Sequence, residues 1–186
     1  MKTSAFIQGR IKKKSILLYK LPCITASNLQ TKNWRILQDW YFGGKKNECE
    51  KYQIEMLKKL GYDLQKTSDR LDMRKLVLGK ICQSNYFDWS ENFDGVVKLE
   101  KTWYFNLKMI CSEGGAQMRS VREVYHFIEA QLKYLMRHEN IIFINILDGD
   151  FCSKQIQKIK TLFNYYPSDK LYVGDLKSFK DAVKNW

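Results

Sequence analysis

The sequence predicts an α/β fold in which a central mixed β-sheet is flanked by helices. Residues 141–147 (IIFINIL) form a continuous apolar run, which is typical of a strand buried on both faces. Residues 117–137 repeat apolar side chains at intervals of three and four, which indicates a long amphipathic helix. Residues 93–110 alternate around a polar turn, as a β-hairpin does. Together these patterns favour helices packed on a sheet.

The elements before residue 93 are predicted to be helical. Residues 34–41 place tryptophan and leucine side chains at helical spacing. Residues 47–60 do the same with other apolar side chains, and Asn47 and Gly61 are the expected N-cap and C-cap. Residues 68–83 carry leucine and isoleucine side chains that suit a third helix.

The second half of the chain is predicted to alternate between strands and helices. The period of a strand places Tyr104, Asn106 and Lys108 on one face of the second hairpin strand. The elements after the hairpin are expected to be helix, strand, helix, strand and helix, over residues 117–137, 141–147, 150–163, 171–176 and 177–185.

Length and charge narrow the class of protein. The 186 residues suit a single domain over 1–186, in which residues 46–186 form the core and residues 1–45 a possible N-terminal appendage. Hydrophobic residues make up 45% of the chain, which excludes a disordered composition. Lys and Arg number 32 against 20 Asp and Glu, a net charge of +12 that favours a polyanionic partner such as nucleic acid.

The cysteines and the hydropathy indicate a cytoplasmic protein. The five cysteines are far apart and form no CxxC pair, so neither a zinc site nor a disulfide framework is expected. No segment is long and apolar enough to suggest a membrane span. Reduced thiols in the cytoplasm are the prediction.

Polar residues in the hairpin have the spacing of a phosphodiester-cleaving site. Eleven residues separate Asp94 from Asn106, which lets a hairpin bring them together. Hydrolysis of a phosphodiester needs a metal ion, a nucleophilic water and a positive group near the developing charge. Asp94 could bind the metal, and Lys108 could activate the water or stabilise the charge. A plain hairpin with solvated polar residues is the alternative.

These residues carry a family resemblance. Asp94 followed by glycine, the Asn-Leu-Lys of residues 106–108 and the Ser-Glu-Gly-Gly of residues 112–115 before a long helix resemble the PD-(D/E)xK restriction-endonuclease fold. The resemblance covers about residues 45–186, and it is strongest to the cleavage domains of type IIS restriction enzymes. It implies a restriction-endonuclease-like sheet, a Mg²⁺ cofactor, and Asp94 and Asn106 as metal ligands.

The short chain further resembles the small, cleavage-only subunit of a heterodimeric type IIS restriction endonuclease. That resemblance implies double-stranded DNA as substrate and a larger partner subunit, which recognises the sequence and nicks the other strand. One position departs from the family pattern, because Asn106 stands where the family has Asp or Glu. The subunit is then weak or inactive, or asparagine replaces a natural acid, or another acid serves.

Two acids elsewhere in the chain resemble family ligands. Glu123, separated from Lys108 by fourteen residues, resembles an acid that some members carry on the helix after the lysine strand. Glu50 is similar to the acid that members carry on a helix before the hairpin, with Glu48 and Glu55 as competitors. Solvated helical glutamates are the alternative for each of them.

The start of the long helix is the predicted DNA contact. Gly114 and Gly115 could let the chain pass close to a DNA backbone, or they could form an ordinary loop before the helix. Gln117, Arg119 and Arg122 would bind phosphates through backbone N–H and guanidinium groups, or form a solvated first turn.

The sequence therefore predicts a Mg²⁺-dependent DNA endonuclease subunit. A noncatalytic DNA-binding or assembly subunit with a relic nuclease fold is the alternative, which Asn106 favours. An RNA-binding accessory protein ranks third, because the aromatic strand signature of RNA-recognition domains is absent.

Overall fold

The computed structural model describes residues 32–43, 47–81, 89–111 and 113–182. In these ranges the helices are α1 (Lys32–Leu37), α2 (Glu48–Lys59), α3 (Gly115–Leu135), α4 (Asp150–Lys160) and α5 (Leu176–Ala182), with a 3-10 helix at Thr161–Asn164. The strands are β1 (Arg70–Asp72), β2 (Val77–Gly79), β3 (Ser90–Asn92), β4 (Gly95–Lys98), β5 (Thr102–Met109), β6 (Ile141–Asp148) and β7 (Leu171–Gly174). Most of the proposed appendage at residues 1–45 lies outside the described residues.

The main sheet has the strand order β4-β5-β6-β7. β4 and β5 are antiparallel neighbours joined by a short turn, whereas β5 pairs with β6 and β6 with β7 in parallel. Parallel neighbours need long crossovers, and α3 and α4 provide them. The predicted mixed sheet with flanking helices is therefore confirmed.

The strands β1 and β2 lie where the sequence predicts a helix at residues 68–83, and with β3 they form a small antiparallel sheet of order β2-β1-β3. That prediction is wrong over residues 68–81, and residues 82–83 lie outside the described part. Leu71 is fully buried at the centre of β1, and the chain turns back at Leu76, whose φ of 53° is left-handed. The leucine spacing is compatible with a helix or with strands. Residues 70–72 form a strand because β1 pairs with β3, which lies far away in the sequence.

Helices cover both faces of the main sheet. α3 and α4 pack on one face, where Ile128 and Phe143 are fully buried. α2 and α5 pack on the other, where Leu57, Phe105 and Phe179 are fully buried. Successive side chains of β5 and β6 point to alternate layers, as the pleat of a strand requires.

The boundaries of the helices agree in part with the sequence. α2 lies within the predicted 47–60, and Gly61 follows it with a φ of 96°. Asn47 occupies the N-cap position in a left-handed conformation, but its side chain makes no capping hydrogen bond. α1 ends at Leu37, before the predicted end of this helix at residue 41. Trp40 lies beyond it and stacks on Tyr52 of α2, with ring centroids 4.6 Å apart. Among the helices described, none is both long and apolar enough to cross a bilayer.

Candidate active site

Asp94 lies where the chain enters β4, and its carboxylate takes part in the sheet. Its backbone N–H donates to the Phe105 carbonyl oxygen at 2.8 Å, and its Oδ2 accepts the Leu107 N–H at 2.6 Å. The side chain thus continues the β4–β5 ladder by one residue before the start of β4, which fixes the position of the carboxylate. Burial raises the pKa of Asp94, and the Leu107 N–H and the Lys108 ammonium oppose this rise.

Glu50 and Lys108 lie close enough to Asp94 for their charges to interact. Glu50 is half-buried in the first turn of α2, and Lys108 is exposed near the end of β5. Burial is the main cause that raises the pKa of Glu50; the charge of Asp94 raises it further, and Lys108 lowers it. The structure therefore brings Glu50, Asp94 and Lys108 into one electrostatic environment, here named the acid–lysine cluster.

Asn106 is not part of the acid–lysine cluster. Its side chain is only 2% exposed, and its Nδ2 donates to Asn145 Oδ1 at 3.0 Å. Asn145 Nδ2 donates to Gln131 Oε1 at 2.7 Å, and Gln131 Nε2 donates back to Asn145 Oδ1 at 3.3 Å. These three amides join β5, β6 and α3 in the core, where an amide can both donate and accept. The side chain expected to bind metal thus takes part in packing instead.

The other candidate acids also lie outside the cluster. Glu123 faces solvent on α3, and its charge does not contribute to the pKa of Glu50 or Asp94. Glu48 is buried, and its Oε2 accepts the Phe42 N–H at 2.8 Å. Glu55 is exposed and forms an ion pair with the lysine one turn later, with an oxygen–nitrogen distance of 2.9 Å. Of the acids considered on α2, Glu50 is therefore the one at the site.

The predicted DNA-contact residues lie on the solvent-facing start of α3. Gln117 is half-buried. The other four residues are exposed: Gly114, Gly115, Arg119 and Arg122. Gly114 has an extended φ of 166°, a conformation open to any residue, so its backbone does not require glycine. The position of these residues is compatible with a phosphate contact, which stays a prediction.

Gln53 and Asp148 form a buried, hydrogen-bonded pair next to the acid–lysine cluster. Gln53 is fully buried on α2, one turn after Glu50, and its Nε2 donates to the Lys108 carbonyl oxygen at 3.2 Å and to Asp148 Oδ2 at 2.7 Å. Asp148 Oδ1 accepts the Leu176 N–H at 3.1 Å. Gln53 thus ties α2 to the strand that carries Lys108, and Asp148 ties both to α5.

Sequence patterns did not reveal this pair, although one signal is present. Gln53 occupies the apolar face of α2, where its neighbours at helical spacing are hydrophobic. A polar residue on an apolar stripe indicates a buried hydrogen-bonding partner. Asp148 ends the apolar strand β6, and burial raises its pKa to about 6.

The donor set of the cluster suits a hard divalent cation. Glu50 and Asp94 supply carboxylate oxygens, and no hydrogen-bond donor to Asp94 Oδ1 is found in the part of the chain that the structure describes. Mg²⁺ is commonly held by one or two carboxylates together with waters and a substrate phosphate. No group of three or more His, Cys, Asp or Glu side chains with a metal-binding arrangement occurs among the described residues, so a closed protein cage is not formed there.

Comparison of the chain with protein-family models, with curated proteins and with solved structures finds no match. The interpretation of the site therefore rests on its own geometry and on the short motif around Asp94 and Lys108.

Proposed function

We propose that the protein is the DNA-cleaving subunit of a Mg²⁺-dependent endonuclease and hydrolyses one strand of double-stranded DNA. The observation that carries this proposal is the acid–lysine cluster, in which Glu50 from α2, Asp94 before β4 and Lys108 on β5 come together. The mixed sheet, in which a hairpin leads through a long helix into a parallel strand, is compatible with a restriction-endonuclease-like fold. A net charge of +12 suits a polyanionic substrate.

Each residue of the cluster has a separate role in this proposal. Glu50 and Asp94 would hold Mg²⁺, which when bound neutralises phosphate charge and lowers the pKa of a coordinated water. The Leu107 N–H orients the Asp94 carboxylate, so that Oδ1 remains available to a ligand. Lys108 would donate to a phosphate oxygen and stabilise the negative charge that develops when water attacks phosphorus. Gln53 positions Lys108 through its backbone carbonyl oxygen.

The partner is inferred from the resemblance rather than from a contact, and the location from the cysteines. The hairpin motif around Asp94 and Lys108 resembles that of cleavage subunits which act with a larger subunit that recognises the sequence and nicks the other strand, so such a subunit is proposed as the heterodimer partner. Cys49, Cys111 and Cys152 are free thiols, which is compatible with the proposed cytoplasmic location.

The test is a plasmid cleavage assay with Mg²⁺, run with the protein alone and together with a candidate large subunit. Natural protein and Lys158→Ala, which removes an exposed lysine of α4, should convert nicked plasmid to linear product. Lys108→Ala and Asp94→Asn should slow that step by about 100-fold or more. Equal rates for Lys108→Ala and the natural protein would place the chemistry in another chain.

A noncatalytic DNA-binding or assembly subunit is the second candidate function, and the position of Asn106 favours it. The family ligand at this position is replaced by an amide that is buried against Asn145, so the cluster has two carboxylates instead of three. Under this alternative, Mg²⁺ does not bind to the protein. Isothermal titration with Mg²⁺ separates the two, because the proposed nuclease binds the ion and Asp94→Asn weakens that binding.

A further inference from the structure

A cleft of about 580 Å³ follows the outer edge of β4. One wall of the cleft is the segment 63–69, in which Gln65 pairs with Val96 of β4 as an antiparallel bridge with two nitrogen–oxygen distances of 2.9 Å. β4 also contributes Val97, and β5 contributes Tyr104. The cleft is therefore built on the same strand that begins next to Asp94.

Three lysines line this cleft, which is named here the lysine cleft: Lys66, Lys80 and Lys98. They come from the wall segment, from the residue after β2 and from the end of β4, and all three are exposed. Within the described ranges, none of their ammonium groups forms an ion pair. Three positive charges around one cleft repel one another, and an anion in the cleft relieves that repulsion.

The two carboxylates of the lysine cleft are engaged with other partners. Asp63 lies 3.6 Å from Lys58 Nζ, and it accepts a hydrogen bond from Gln65 Nε2 at 3.2 Å. Asp69 Oδ2 accepts the Tyr104 hydroxyl at 2.8 Å. Burial, and then the hydrogen bond to Asp69, raise the pKa of Tyr104, so the phenol stays a neutral donor. The lysines thus remain available to an external anion.

We infer that the lysine cleft binds the sugar–phosphate backbone of a nucleic-acid strand. Thr67 and Ser68 also line it, and their hydroxyl groups are donors of the kind that contact phosphate oxygens. An open cleft with lysines from three separate segments suits an extended chain of phosphates. Contacts of this kind set affinity and register and do not read base sequence.

The position of the lysine cleft relates it to the acid–lysine cluster. Asp94 and Lys98 are four residues apart at the β4 edge, which is about 13 Å at roughly 3.3 Å per residue. That length corresponds to about four nucleotides at about 3.4 Å of rise per nucleotide. Only this step rests on the proposed function: the strand held in the cleft continues to the cluster, about four nucleotides from the bond that is cut.

The experiment measures DNA binding separately from cleavage. A fluorescently labelled 30-base-pair duplex is titrated with protein in EDTA, without Mg²⁺, at salt concentrations from 50 to 300 mM. The cleft variant carries Lys66→Gln, Lys80→Gln and Lys98→Gln. A charge-matched control carries Lys158→Gln, Lys160→Gln and Lys177→Gln, three exposed lysines on α4 and α5. Circular dichroism checks that both variants fold, and single substitutions replace a triple variant that does not.

Loss of each phosphate contact lowers the slope of log affinity against log salt by about 0.9. The triple cleft variant should therefore lose about 2 to 3 in slope while the triple control loses less than about 1, and a single cleft substitution should lose about 0.9 while a single control substitution loses less than about 0.3. Equal changes in the two variants, an unchanged slope in the cleft variant, or no binding by the natural protein at 50 mM salt would overturn the inference. If the cleft and control variants differ in slope but the natural protein does not cleave DNA in the plasmid assay, the lysine cleft is supported as a binding site and the nuclease proposal is wrong.

Discussion

Asp148 is a carboxylic acid buried at the end of β6, and we predict that Asp148→Asn makes the stability of the protein less dependent on pH. The side chain is only 1% exposed, and burial raises its pKa from an ordinary value of 3.8 to about 6. The Leu176 N–H and the Gln53 amide oppose the rise, and the charge of Asp175 adds to it. In the unfolded chain the acid has its ordinary pKa, so the folded state binds the proton more tightly.

The size of the effect follows from this difference in pKa. A tenfold change in proton affinity corresponds to about 1.4 kcal/mol, so the rise from 3.8 to about 6 corresponds to about 3 kcal/mol. Because the folded pKa is the higher one, this stabilisation is complete below about pH 4 and is lost as the pH rises through about 6. Asparagine cannot ionise. The free energy of unfolding of Asp148→Asn minus that of the natural protein should therefore increase by about 2 kcal/mol from pH 4 to pH 7.5.

Urea denaturation at both pH values, followed by tryptophan fluorescence, measures this gain. The substitution also alters the hydrogen bond to Gln53, but to first order that change is the same at every pH, so the difference between the two pH values is the tested quantity. Asp169→Asn, which replaces an exposed carboxylate before β7, is the matched control and should show no such gain. A gain below about 0.5 kcal/mol for Asp148→Asn would refute the argument.

Two further substitutions test the buried amides. Asn106→Asp replaces the donor to Asn145 with a carboxylate in the core. It should therefore lower the free energy of unfolding by about 3 kcal/mol at pH 8 and should not increase plasmid cleavage. A variant as stable as the natural protein in urea denaturation, and more active in the plasmid assay, would contradict the buried position of this side chain. Gln53→Leu removes the donor to the Asp148 carboxylate and to the Lys108 carbonyl oxygen, and it should cost about 2 kcal/mol at pH 8. The loss should be smaller at pH 5, where Asp148 is largely protonated, and equal losses in urea denaturation would show that the charge of Asp148 plays no part.

The Asp94–Lys108 part of the acid–lysine cluster can be predicted from the sequence because its spacing is local. A hairpin turn between β4 and β5 sets the register, so a residue just before β4 must lie beside the last residues of β5. Asp94 and Lys108 are therefore neighbours as soon as the hairpin is recognised. Glu50 needed the family resemblance, because no local rule connects a helix to a strand more than forty residues later.

Asn106 shows where such local rules end. The period of two places Asn106 and Lys108 on one face of β5, yet the first is 2% exposed and the second faces solvent. Asn106 lies where the amide of Gln131 on α3 completes the network through Asn145, whereas Lys108 lies beyond that cover. Alternation predicts the face of a strand, and the helix that packs there decides which positions on that face are buried.

The sequence by itself determined the α/β class, the long helix α3, the buried strand β6 and the hairpin register that joins Asp94 to Lys108, since each depends on periodicity within a short segment. The tertiary structure alone decided that residues 70–72 and 77–79 form strands, that Asn106 belongs to the core, and that Gln53 and Asp148 are hydrogen-bonded next to the cluster. These outcomes depend on contacts between segments far apart in the chain. The free energy of such contacts comes from burial and hydrogen bonding that no local pattern contains.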